Sequence, residues 1–80
     1  MSKLRKLSGK EIVKILVEKF EFEVVRQRGS HVVLRKFKDG EKIVTVVPMH
    51  GEVKIGTLLG ILKLARTTKE EFMKNLNYNS

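Results

Sequence analysis

The sequence predicts an α+β domain in the order α-β-β-β-α-α, with a three-stranded antiparallel sheet and helices packed on one of its faces. Three observations carry that expectation. Apolar residues recur at helical spacing near both ends of the chain, and Val- and Phe-rich runs fill its middle. Two dipeptides, Gly29-Ser30 and Asp39-Gly40, divide the middle runs at hairpin spacing.

The first helix opens at Ser8-Gly9-Lys10-Glu11, a capping box with Ser8 as N-cap and Glu11 at N3. Leu7 and Ile12 flank it at the N′ and N4 positions of a hydrophobic staple. Ile12, Val13, Leu16 and Phe20 then form one apolar stripe, which predicts an amphipathic helix over 9–20. Phe22 to Arg28 is the first strand, and Gly29-Ser30 suits a type II′ turn with glycine first. His31 to Phe37 is the second strand. Asp39-Gly40 turns the chain again, and Lys42 to Val47 is the third strand, stopped by Pro48. Thr57 to Arg66 sets Leu58, Ile61, Leu62 and Ala65 at helical spacing. Thr68-Lys69-Glu70-Glu71 is a second capping box, opening a short helix to about Leu76, and Asn77 to Ser80 is expected to fray.

Two-residue loops fix a register. The first pairs Arg28 with His31, Arg26 with Val33 and Val24 with Arg35; the second pairs Arg35 with Val44 and His31 with Pro48. Alternation then places Arg26, Arg28, His31 and Arg35 on one open face, together with Val24, Val33, Val44 and Val46. Val25, Val32, Leu34, Ile43 and Val47 fall on the opposite face, where the helices should cover them.

The 80 residues are expected to form one domain, 1–80, with its core over about 8–76. A hydrophobic content of 41% argues against global disorder. The absence of cysteine excludes disulfides, thiolate chemistry and zinc-thiolate sites. Seventeen Lys+Arg against nine Asp+Glu give a formal net charge of +8, which suits a polyanionic partner. No stretch approaches a membrane span, and the basic start lacks the apolar core of a signal peptide, so a cytoplasmic location is expected.

Neither a phosphate-binding P-loop nor a dinucleotide fingerprint is present. His31 and His50 are the two histidines, too few for a zinc site unless carboxylates join them. Glu70 and Glu71 sit in the first turn of a helix, where they favour its dipole. His31 has a different setting. Imidazole both accepts and donates protons near neutrality. Metal-free RNA cleavage needs a base for the ribose 2′-OH, an acid for the leaving 5′ oxygen, and positive charge at the phosphate. Arg26, Arg28 and Arg35, on the face of His31, would supply that charge.

Gly29-Ser30-His31 is preceded by Val25-Arg26-Gln27-Arg28 and followed by Val32-Val33-Leu34-Arg35. Farther on come Val46-Val47-Pro48-Met49-His50 and Gly56-Thr57-Leu58-Leu59-Gly60-Ile61-Leu62. With Ser8-Gly9-Lys10-Glu11-Ile12, these segments resemble, in order and spacing over about residues 8–73, the HicA family of mRNA interferase toxins. The resemblance implies a fold similar to the double-stranded-RNA-binding domain, and a type II toxin that cleaves mRNA without metal or other cofactor. It also implies a HicB-like antitoxin that occupies the site. The family's catalytic histidine maps onto His31, with Gly29 and Ser30 as the turn presenting it. His50 matches a frequent family position; it and Ser30 are auxiliary candidates, with acid and structural roles both open. Ile55 departs from the pattern, standing where a proline often precedes Gly-Thr-Leu.

Two further readings compete with a nuclease. The same element order serves non-catalytic binders of duplex RNA, but those carry a lysine cluster at the start of the last main helix. Gly56 to Gly60 has none. A basic protein-interaction domain that binds an acidic antitoxin is the other, and it overlaps with the nuclease reading, because such an antitoxin would cover the RNA site.

Overall fold

The computed structural model describes residues 6–76. The elements are α1 (Gly9–Lys19), β1 (Glu23–Arg28), β2 (His31–Lys38), β3 (Glu41–Pro48), α2 (Ile55–Leu64) and α3 (Lys69–Lys74). The order is the expected one, and the sheet is three-stranded and antiparallel with β2 at its centre. The frayed tail expected at Asn77–Ser80 lies outside the described residues.

Local chemistry sets most boundaries. Ser8 is the N-cap of α1: its hydroxyl accepts from the Glu11 N–H at 3.1 Å, and Glu11 Oε1 accepts from the Ser8 N–H at 2.9 Å. Leu7 and Ile12, the staple pair, are both buried. At the other end Glu21 takes a left-handed φ of 65°, which turns the chain so that the Phe22 N–H donates to Leu16 O at 3.1 Å. Phe22 is thereby buried just ahead of β1 rather than within it. α2 begins at Ile55, two residues before the expected start at Thr57, with Lys54 as an N-cap that makes no side-chain bond. Ile55 thus occupies the first helical position, where proline is favoured. α2 stops in a left-handed Arg66, with Arg66 N–H donating to Lys63 O and Thr67 N–H to Leu62 O. Thr68 caps α3 by accepting from the Glu71 N–H.

Both hairpins have the expected two-residue loops. Of the first pair only Gly29 has a positive φ, 57°, as a type II′ turn requires. In the second both Asp39 and Gly40 do, at 53° and 79°, which is type I′. The β2–β3 register runs without interruption from His31↔Pro48 to Lys38↔Glu41.

The β1–β2 register corrects one expectation. Arg28↔His31 and Arg26↔Val33 pair as expected, but the ladder shifts between Val24 and Arg26, and the next pairs are Val24↔Leu34 and Glu23↔Arg35. Val25 is the extra residue of a β-bulge. Strict alternation puts Val25 on the covered face and Val24 on the open one. Instead Val25 is left unpaired and Val24 pairs on the Leu34 side, both near the sheet edge with 42% and 52% of their surface exposed. A bulge moves every residue beyond it to the other face.

The core lies between the sheet and the two longer helices. Val32, Leu34, Ile43 and Val47 from the sheet meet Ile12 and Leu16 of α1 and Leu58, Ile61 and Leu62 of α2. Each such burial contributes about 1.5–3 kcal/mol. Thr45 is fully buried between Ile43 and Val47, and its hydroxyl donates to Ile61 O of α2 at 2.9 Å, bonding sheet to helix. Phe72 of α3 stacks on Phe20 at 6.1 Å and closes the far end of α1. All helical packing falls on one side, so the side carrying Arg26, Arg28 and His31 remains open.

Candidate functional site

His31 is the first residue of the central strand, exposed, with Arg28 across from it on β1 and Pro48 across from it on β3. Directly opposed residues of an antiparallel pair hold their Cβ atoms about 5 Å apart, so Arg28 and His31 are close neighbours on the open face. Arg26 lies two residues back on the same face, also exposed.

The turn that presents His31 is tied down at both carbonyls. Gln27 Nε2 donates to Gly29 O at 3.1 Å, and the Met49 N–H donates to Ser30 O at 2.6 Å. The second bond prolongs the β2–β3 ladder past Pro48 and holds the segment carrying His50 beside the turn. That segment is also gripped from below: the Gly9 N–H donates to His50 O at 2.9 Å. A Cβ on Gly9 would lie 2.1 Å from Pro48 O, so only glycine lets α1 approach this closely. The start of α1, the end of β3 and the hairpin turn therefore form one connected unit around His31. His50 and Ser30 stand at that same end of the sheet, with His50 exposed and the Ser30 hydroxyl on the turn itself.

Arg35 is on the open face but outside this group. Four residues separate it from His31, about 13 Å along a strand. Its guanidinium donates from Nε and Nη2 to Glu23 Oε2, at 3.1 and 2.8 Å, and lies 5.4 Å from the centre of the Phe37 ring. Arg26, Arg28 and His31 are gathered as expected; Arg35 is already engaged by a carboxylate.

Two further residues contribute. The close approach of Gly9 to Pro48 depends on a contact about forty residues away in sequence, which local pattern does not show. Thr45 could have been found, since it falls between Ile43 and Val47 at strict alternation. Among the described residues no group of three or more His, Asp or Glu side chains could hold a metal ion, and no helix is long and apolar enough to cross a membrane.

The exposed imidazole thus lies between Arg28 and Pro48 on the uncovered face of a small basic α+β domain. Residues 9–66 match the family model described as HicA toxin of bacterial toxin–antitoxin. The chain belongs to the HicA toxin family, and membership makes it the toxin of a toxin–antitoxin pair with a cognate antitoxin as partner. No curated protein and no solved structure matches it.

Proposed function

We propose that this toxin is a metal-independent endoribonuclease that cleaves mRNA in the cytoplasm, with His31 as its acid–base residue and a HicB-like antitoxin covering the site. The observation that carries the reading is the position of His31, exposed at the head of the central strand and directly opposite Arg28. Single-stranded RNA lies across the open face with a phosphate between them.

In the proposed reaction His31 takes the proton of a ribose 2′-OH. The 2′ oxygen forms a bond to phosphorus while the bond from phosphorus to the 5′ oxygen breaks. The leaving 5′ oxygen receives a proton from the imidazolium or from a second group, for which His50 and Ser30 are placed at the same end of the sheet. The products are a 2′,3′-cyclic phosphate and a 5′-hydroxyl. Arg28 and Arg26 stabilise the charge that builds on the phosphate.

The test compares wild-type protein with His31→Ala on an RNA substrate in the presence of a chelator. General acid–base assistance is worth about 10²–10⁴ in rate. The variant should lose cleavage by that factor while keeping RNA binding and the fold, since the ring is exposed. Undiminished cleavage by His31→Ala rejects the assignment. Binding without cleavage by the wild-type protein leaves a non-catalytic RNA-binding domain in its place.

A further inference from the structure

The open face extends well beyond His31. Phe37, near the far end of β2, is on that same face by strand alternation and keeps 62% of its surface exposed, more than any other large apolar side chain described. Phe20, Phe22 and Phe72 are buried or half-buried in the core, so Phe37 is the one phenyl ring the described residues present to solvent. Cations flank it: Arg35 sits 5.4 Å from the ring centre and Lys42 is its cross-strand partner. Val33, Val44 and Val46 floor the face between this ring and His31.

We propose that Phe37 is a base-stacking subsite for single-stranded RNA whose scissile phosphate lies at His31, an inference that rests on the nuclease reading above. Every base offers a π-face, so an exposed ring with neighbouring cations is a sequence-tolerant grip on an unpaired strand. The Arg35 guanidinium beside the ring gives two hydrogen bonds to one oxygen of Glu23. Lys42 is left to meet a phosphate next to the stacked base. Six residues separate Phe37 from His31, about 20 Å of strand, the axial length of about six stacked nucleotides. The net charge of +8 favours a polyanion over a second copy of this chain as the occupant.

The experiment measures binding of the full chain to oligoribonucleotides of about three and about eight nucleotides, 2′-O-methylated so that no 2′-OH can attack. Phe37→Ala and Phe37→Leu should weaken the longer probe about 5- to 100-fold and leave the shorter one unchanged, while Phe37→Tyr retains affinity. Equal affinity of wild-type and Phe37→Ala protein for the longer probe overturns the subsite. Leucine matching the wild type overturns it too, since the ring's π-face would then be irrelevant. Loss of a co-expressed antitoxin by Phe37→Ala, with RNA affinity intact, assigns the patch to a protein partner instead. If the wild-type protein binds neither probe, the nuclease reading itself fails.

Discussion

Arg35 and Glu23 face each other across β1 and β2 because Val25 bulges out of the ladder. The guanidinium gives two hydrogen bonds to a single carboxylate oxygen, at 3.1 and 2.8 Å. In an unbroken register Val24 would stand opposite Arg35, and the arginine would face the open surface without a carboxylate across from it. The bulge therefore decides how many arginines the face offers to an incoming phosphate.

Glu23→Gln should release that charge. RNA should bind more tightly, and the dependence of log K on log salt should steepen by about one phosphate contact. Stability should change by less than about 1 kcal/mol, because both partners of the pair are substantially exposed. Arg28→Ala, which removes a guanidinium directly opposite His31, should flatten the same slope by about one. Titrations at several salt concentrations decide the matter; an unaltered slope in Glu23→Gln would show that Arg35 does not reach the nucleic acid.

Gly9→Ala should strain the base of the site. The new methyl would meet the Pro48 carbonyl at 2.1 Å and Met49 Cα at 2.9 Å, and both are backbone. Overpacking of this kind costs about 1–3 kcal/mol, and here it also displaces the Gly9 N–H from His50 O. Thermal or denaturant unfolding should show the loss. A variant as stable as the wild type would mean that α1 shifts without cost.

Lys36 should give stability a dependence on alkaline pH. Its Nζ donates to Phe20 O at 3.1 Å and lies 4.8 Å from the centre of the Phe22 ring. Desolvation holds its pKa below the ordinary 10.5, Lys38 adds like-charge repulsion, and Glu21 opposes both. Between the lowered value and 10.5 the unfolded chain binds more protons than the folded one, so stability should rise with pH across that window. Lys36→Gln should flatten the rise. An identical profile in the variant would assign the effect to other groups.

The elements themselves were legible wherever adjacent residues decide conformation. Ser8 and Glu11 close a box three residues apart, and Gly29-Ser30 and Asp39-Gly40 supply the positive φ their turns demand. Alternation from those turns placed Arg26, Arg28 and His31 on one face, and Arg28 and His31 do pair. The start of α2 was less legible because Lys54 makes no side-chain cap to mark it. The bulge was not legible at all: Val24 and Val25 are chemically the same, and nothing local says which of them is left unpaired.

Sequence alone determined the hairpins, the order of elements and the company of His31, because each follows from interactions a few residues long. Tertiary structure decided that Arg35 is held by Glu23 and that Gly9 locks α1 against Pro48. Both depend on which distant surfaces meet. Contacts of that range are settled by packing the whole sheet against its helices, and no local spacing encodes them.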